Sequence, residues 1–359
     1  MTVKYSIIIP TRNRAEILKR CLQCICGLES PDEDWEVLLL NNDSTDSTEE
    51  IVNSYRERLP NLRYFHTTDP GLHIGRNLGW EEAKGDVFCY IDDDSFVSKG
   101  WLKGIEKAFR EPDVGLVGGP CTPQYEVEPP DWLNKMWSRV HPDGKMLGYL
   151  SILDLGDSIK EINPYHVFGC NFAIRKSVLL EASGFHPDAM PQELIKYRGD
   201  GESYVSQYVL GNGQKTLYQP KASVFHHVPK ERMTLKYFYH RAYINGISDS
   251  FVRMREEHGL TIDNYRNKCG EMESRDNQTS YINMVKTYRL LKRGAYSIKN
   301  RAENYKKKFF PTEFDSIRDK MQKAYREGFA YHQYEVQKDP KLLGWVLRKD
   351  YLGVNGKLP

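Results

Sequence analysis

Four short apolar runs separated by helix-length stretches constrain this chain more than any other feature. Ile7–Ile9, Val37–Leu40, Leu62–Phe65 and Val87–Ile91 are apolar runs of strand length, the pattern of strands buried on both faces. Ala15–Leu28, Thr48–Arg58 and Gly75–Lys84 read as the helices between them. Thr45 or Asp46 is placed to cap the second helix, with Glu49 as a reciprocal partner. Alternation of this kind predicts an α/β fold with an open, largely parallel sheet.

A Pro-rich stretch from Pro120 to Pro130 breaks the rhythm. Beyond it lie apolar segments at Val167-Phe168 and Asn171–Ile174, a helix at Lys176–Ala182 and a polar segment around Arg198–Ser203. Two strands, Lys215–Tyr218 and Ser223–His227, close this part. From Glu231 the pattern turns helical, as Leu235–His258 and again from about residue 281 to the end. The expected organisation is a unit over residues 1–229, subdivided near residue 119, followed by a mainly helical C-terminal extension over 230–359.

Hydrophobic residues at 40% and charged residues at 28% suit a soluble globular protein, and the formal charge of +2 selects no class of partner. No apolar run approaches the roughly 20 residues that span a bilayer. The apolar stretch at the N-terminus is interrupted too soon for a signal peptide, and seven cysteines lack the density of a disulfide scaffold. A cytoplasmic location is expected. Cys21, Cys24 and Cys26 suggest a metal or redox site, but Ile17, Leu18, Cys21, Leu22, Ile25 and Leu28 form one apolar helical face. Core packing is the expected use of Cys21.

In open parallel sheets ligands bind outside the carboxyl ends of the strands. Thr11-Arg12-Asn13-Arg14 follows the first strand, Asn41-Asn42-Asp43-Ser44 the second, and Asp92-Asp93-Asp94 the fourth. Three polar clusters in register mark a site. Asp92 and Asp94, two apart on an extended segment, project to one side. Hard cations such as Mg²⁺ or Mn²⁺ take such carboxylates together with substrate phosphates. Three adjoining acids repel one another, and a cation relieves that repulsion. Gly71–Gly79 carries small residues where a backbone can approach a ligand, and Arg76 within it can meet a phosphate.

These residues resemble glycosyltransferase family 2, whose members have the GT-A fold. Ser6–Arg14 resembles the family's opening block, and Asn41–Asp46 its nucleoside-binding turn. Gly75–Gly79, Gly85-Asp86 and Asp92-Asp93-Asp94 resemble its central block, which ends in the D-x-D motif. Gly169–Arg175 and Gly184-Phe185 resemble its acceptor-side block. The resemblance runs from about residue 4 to 228 with its motifs in the family's order. It implies a GT-A catalytic domain over 1–229, with the nucleotide-binding part over 1–119 and the acceptor-binding part over 120–229.

By that resemblance Pro10, Thr11, Arg12, Arg14, Asn41, Asn42 and Arg76 hold the nucleotide, with Asp92 and Asp93 near its ribose. Asp94 is the main ligand to Mn²⁺ or Mg²⁺, supported by Asp92, and either His226 or His227 completes the metal site or meets the diphosphate. Gly169 and Asn171 belong to the acceptor side. Apart from the resemblance, Trp132 and Trp137 can stack on a sugar, with core packing the expected use of at least one. Where the family has Asp, this chain has Asn41, so a UDP-, GDP- or dTDP-linked donor remains open. The family's Gly-Glu-Asp motif is rewritten as Arg198-Gly199-Asp200-Gly201-Glu202-Ser203. Counting back from the helix that follows, Glu202 takes the position of the base, with Asp200 the alternative.

The expected reaction is inverting transfer of a sugar to an acceptor hydroxyl on a saccharide or lipid-linked acceptor, in polysaccharide or glycoconjugate synthesis. A related nucleotidyltransferase would carry a Gly- and Arg-rich loop after the first strand, where this chain has Pro10-Thr11-Arg12-Asn13. A non-catalytic sugar- or nucleotide-binding module would not need both the D-x-D motif and the acidic pair. Lys286–Lys308 interleaves nine basic residues with aromatic ones, which suits either peripheral contact with an anionic membrane or a solvated helix packed on the catalytic domain. No motif points to nucleic acid.

Overall fold

The structure, a computed structural model, describes residues 4–137, 140–141, 144–260, 313–351 and 358. Its strands are β1 (Tyr5–Thr11), β2 (Trp35–Asn42), β3 (Leu62–Thr67), β4 (Val87–Tyr90), β5 (Ser95–Val97), β6 (Val114–Gly118) and β7 (Cys121–Tyr125). They continue as β8 (Val140–His141), β9 (Gly144–Leu147), β10 (Ile152–Asp154), β11 (Lys160–Glu161), β12 (Phe172–Arg175), β13 (Lys215–Tyr218) and β14 (Val224–Val228). The helices are α1 (Ala15–Ile25), α2 (Thr48–Ser54), α3 (Leu72–Glu82), α4 (Trp101–Ala108), α5 (Asp131–Trp137) and α6 (Lys176–Glu181). They end with α7 (Glu202–Gly211), α8 (Leu235–Glu257), α9 (Glu313–Lys338) and α10 (Pro340–Val346).

The main sheet has the order β11-β13-β6-β12-β4-β1-β2-β3. The four apolar runs form its parallel half, and β12 runs antiparallel to both β4 and β6. This is the α/β, mostly parallel arrangement expected. Ile7, Ile8, Ile9 and Val37 to Leu40 are fully buried, because helices cover both faces. A second sheet, β5-β14-β7-β10-β9-β8, stands beside the carboxyl ends of the first.

Two local devices fix the parallel half. The Asp46 carboxylate accepts from the backbone N–H of Thr48 at 3.1 Å and from that of Ala15 at 2.9 Å. One side chain thereby satisfies orphan donors at the start of both α2 and α1, and of the two expected caps Asp46 is the one used. Cys21 is buried on α1 with Leu18, Leu22 and Ile25, as the apolar face requires.

The glycines of α3 serve a different purpose from the one expected. They let the helix approach the side chains of β1. A Cβ on Gly79 would lie 2.4 Å from Ile8 Cγ2, and one on Gly75 3.0 Å from Pro10 Cβ. Small residues four apart on one helical face lay α3 directly on β1. Ile8 is fully buried in a central strand and cannot swing aside. Gly79→Ala is therefore expected to lower stability by about 1–3 kcal/mol in urea unfolding despite alanine's better helix propensity.

After Pro229 the chain does not leave the first part. Trp345 Nε1 donates to the Tyr197 carbonyl at 2.7 Å, and Asn77 Nδ2 donates to the Tyr351 carbonyl at 3.4 Å. α9 packs along α8, joined by Tyr325 to Asp249 and by Ser250 to His332. Among the described residues no helix is long and apolar enough to cross a membrane. The basic aromatic segment Lys286–Lys308 lies outside the described residues.

Candidate active site

The register of the two sheets assembles the site. Thr11 and Asn41 are partners across β1 and β2, and Ile8 pairs with Tyr90 across β1 and β4, so all three polar clusters share one edge. The chain then turns from Asp92-Asp93-Asp94 straight into β5, which pairs with β14 so that Ser95 faces His226. That pairing brings a histidine from residue 226 against an aspartate at 94, with His227 N donating to the Asp94 carbonyl at 2.9 Å.

The three aspartates are held unequally. Asp93 accepts from Thr11 Oγ1 at 2.7 Å and from Arg14 Nη1 at 2.5 Å. Asp94 takes Arg14 Nη2 at 3.0 Å, with Arg232 Nη2 and His226 Nε2 each at 3.4 Å. Burial and the neighbouring Asp94 push the Asp93 carboxyl above its usual range against the pull of Arg14. Burial also opposes the charge on Asp94, yet His226, Arg232 and Arg14 hold it well below the usual range. Burial opposes a charge on His226 too, but Cys170 and the Asp94 carboxylate lift it to about 9. His227 is half-buried and its pKa is lowered by burial.

Asp92 belongs to a second cluster. Arg76 is buried at 2% exposure, and its guanidinium reaches Asp92 Oδ1 at 3.1 Å with one nitrogen and Glu202 Oε2 at 3.3 Å with the other. Glu202 Oε1 accepts from the Gly169 N–H at 3.3 Å. A Cβ on Gly169 would stand 2.3 Å from Arg76 Nη2, so only glycine leaves the guanidinium its place. Arg76 thus joins Asp92, at the edge of the main sheet, to Glu202, the first residue of α7.

The two candidate bases are separated by this arrangement. Asp200 is buried and bound to His186 Nδ1 at 2.6 Å, and that ring stacks on Tyr204 at 3.7 Å. The Glu202 side chain is 26% exposed beside Asp92, which is 28% exposed. Glu202 is open to a reactant and Asp200 supports the turn before it.

Other expected site residues are placed as follows. Asn41 Nδ2 donates to Tyr64 Oη at 2.7 Å and its Oδ1 accepts from Ser44 N, while Asn42 Nδ2 donates to the Asp69 carbonyl. Arg12 is exposed beyond β1, and Pro10 packs under α3. Asn171 differs from its expected acceptor role: it is buried, and its amide is committed to Trp101 Nε1 and the carbonyls of Pro120 and Ala222. It fixes the loop that carries Gly169. Trp132 and Trp137 pack in an apolar group with Tyr149 and with Phe238 of α8.

Three groups escaped the sequence. Arg232 reaches Asp94 from beyond the boundary drawn at Pro229. Asp188 pairs with Arg198, and His186 holds Asp200. A basic residue shortly after the His-His pair was the one available signal for Arg232; nothing local distinguished Asp188.

The candidate donors for a divalent cation are Asp94 and His226. Asp94 Oδ1 is a buried carboxylate oxygen that makes no hydrogen bond, and His226 Nε2 is its ion-pair partner at 3.4 Å. Among the described residues, no three His, Cys, Asp or Glu side chains converge at metal-binding spacing. Two protein ligands, with phosphate oxygens and water completing the shell, is the usual mode for Mg²⁺.

Residues 6–181 match the profile of glycosyl transferase family 2. The chain is similar to the glycosyltransferase AglE of Haloferax volcanii, at 31% identity over 115 residues, covering 32% of this chain and 38% of that protein. The chain thus spans well under half of that relative. It is also similar to the succinoglycan biosynthesis protein ExoM of Rhizobium meliloti, at 23% identity, covering 72% of this chain and 78% of that one. Among solved structures, the mannosyltransferase PcManGT of Pyrobaculum calidifontis, in complex with GDP-Man and Mn²⁺, superposes with a TM-score of 0.57. That match has 16% identity and covers 92% of this chain and 87% of that one, which shows a shared fold.

Proposed function

The chain carries a glycosyl transferase family 2 domain over residues 6–181, and on that premise we propose that it transfers a sugar from a nucleoside-diphosphate donor to an acceptor hydroxyl. The observation that carries this reading is the Asp92–Arg76–Glu202 bridge, which couples the acidic edge of the sheet to an accessible carboxylate on α7. Similarity to the succinoglycan biosynthesis protein ExoM supports a place in polysaccharide synthesis.

In this reading the β1 and β2 ends receive the nucleoside, with Thr11, Arg14 and the Asn41 turn shaping the pocket. Glu202 takes the proton of the acceptor hydroxyl at Oε2 or Oε1, and the hydroxyl attacks the anomeric carbon from the face opposite the leaving diphosphate. Arg76 orients Glu202 and screens it from Asp92. Arg14 and Arg232 supply positive charge near the departing diphosphate. Mn²⁺ or Mg²⁺ would be held by Asp94 with His226 in support, Asp92 being taken by Arg76, and would offset charge on the diphosphate when bound. A neutral His226 is the ligand form, whereas its imidazolium pairs with Asp94 or a phosphate.

A thermal-shift screen of UDP, GDP and dTDP, each with and without Mn²⁺, tests the donor half of this reading. One nucleotide is expected to stabilise the protein by about 2–3 kcal/mol at 100-fold excess over its Kd, with the gain lost on chelation. No stabilisation by any nucleotide sinks the donor assignment, and a gain indifferent to chelation sinks the metal.

A further inference from the structure

On the acceptor side of the Arg76 cluster every carboxylate has a close partner, while one guanidinium has none. Asp188 takes Arg198 and accepts from the backbone of Ala189 at 2.7 Å. Asp200 takes His186, Glu202 takes Arg76 and the Gly169 N–H, and Asp249 accepts from Tyr325 Oη at 2.5 Å. Arg241 makes no hydrogen bond or ion pair among the described residues, and its Nε is fully buried without an acceptor. A buried guanidinium donor left unpaired is costly and uncommon.

Its setting is defined by one face of α8, along which Phe238, Arg241, Asn245 and Ser248 follow at helical spacing. Ser248 Oγ accepts from Arg198 Nε at 3.3 Å and donates to the Gly199 carbonyl at 2.7 Å, tying this face to the turn that carries Glu202. Asn245 bonds Tyr149, whose ring stacks on Phe238 at 5.5 Å with an 11° tilt, and Trp132 meets Phe238 edge-on at 5.0 Å. Arg241 therefore stands between the Glu202 turn and an aromatic wall. Its charge is felt on both sides: burial lowers the pKa of Arg198, and Arg241 lowers it further against the pull of Asp188. On the Tyr149 side it opposes the upward push of burial.

We propose that Arg241 binds an anionic substituent, a carboxylate or a phosphate, on the acceptor saccharide, so that this chain glycosylates a charged glycan. That the ligand is an acceptor rests on the glycosyl-transfer reading; that it is anionic rests on Arg241 alone. A guanidinium presents parallel donors that match a carboxylate or phosphate oxygen pair. Asp188 feels the charge of Arg241 but has Arg198 as its close partner, so a neutral hydroxyl would satisfy the Nε donor without bringing the guanidinium a counter-charge of its own. Of the aromatic wall, Phe238 is fully buried, and Trp132 and Tyr149 are the half-buried rings beside it.

Ligand-observed NMR without donor tests this on the full chain, using glucose, glucuronate and glucose 6-phosphate as probes. The charged sugars are expected to bind wild-type protein about tenfold tighter than glucose, the order of one charge-assisted hydrogen bond. In Arg241→Gln the advantage should fall below about threefold, and Arg241→Lys, which keeps the charge, should retain more of it than the glutamine variant. A preference between glucuronate and the phosphate identifies the source of the anion. Equal binding of all three to the wild type, or an advantage undiminished in Arg241→Gln, overturns the proposal. Because no donor is present, failure of sugar transfer in a separate assay would count against glycosyl transfer and not against the anion site.

Discussion

Glu202→Gln is expected to reduce sugar transfer by about 10²–10⁴-fold, the usual contribution of a positioned general base. The amide keeps the shape of the side chain and can still accept from the Gly169 N–H, which Glu202 Oε1 does at 3.3 Å. It cannot take a proton from an attacking hydroxyl. Donor affinity should change little, because Glu202 stands on the acceptor side of Arg76. Initial rates and nucleotide titration on the same preparation separate the two effects. Asp200→Asn serves as the contrast. Asp200 is buried on His186 at 2.6 Å, so its loss should appear first as lowered stability. Wild-type turnover in Glu202→Gln would remove the base assignment.

Arg76→Ala is the second large effect. Its guanidinium is buried and divides its nitrogens between Asp92 and Glu202. Removing one partner of a buried ion pair commonly costs about 3–5 kcal/mol, and here partly exposed carboxylates reduce the expected loss to about 2–3 kcal/mol. Turnover should fall at least about 10²-fold as Glu202 loses its orientation. Arg76→Lys retains the charge but not the fork, so stability should recover more than activity. The double variant Arg76→Ala with Glu202→Gln should be no slower than the worse single variant, since the two residues act as a unit. Additive losses in rate would show that Arg76 acts elsewhere.

Much of the fold was legible because its parallel half is built from local signals. Apolar runs of strand length, separated by amphipathic helices, specify β1 to β4 wherever both faces of a sheet are covered. The acidic triplet was legible for the same reason, since it follows a buried strand. What could not be read was the pairing across long separations. Nothing near residue 94 announces that β14 will set His226 opposite, or that Arg232 will reach Asp94 from beyond Pro229. The glycines of α3 misled because a close approach to β1 and a close approach to a ligand leave the same trace in sequence. Asn171 misled similarly: a buried amide holding a loop and an amide holding a sugar are the same residue until its partners are seen. Arg76 is a candidate in the sequence, but its bridging position depends on Gly169 and Glu202, 93 and 126 residues away.

The most direct test of sugar transfer by this chain needs no acceptor identity. Donor turnover with water as acceptor can be followed by proton NMR across UDP-, GDP- and dTDP-linked sugars with Mn²⁺. The expected products are a nucleoside diphosphate and a free sugar that first appears in the anomeric configuration opposite to the donor's, with turnover suppressed in Glu202→Gln. Release of nucleoside monophosphate or pyrophosphate, first appearance of the retained anomer, or no turnover of any donor would contradict it.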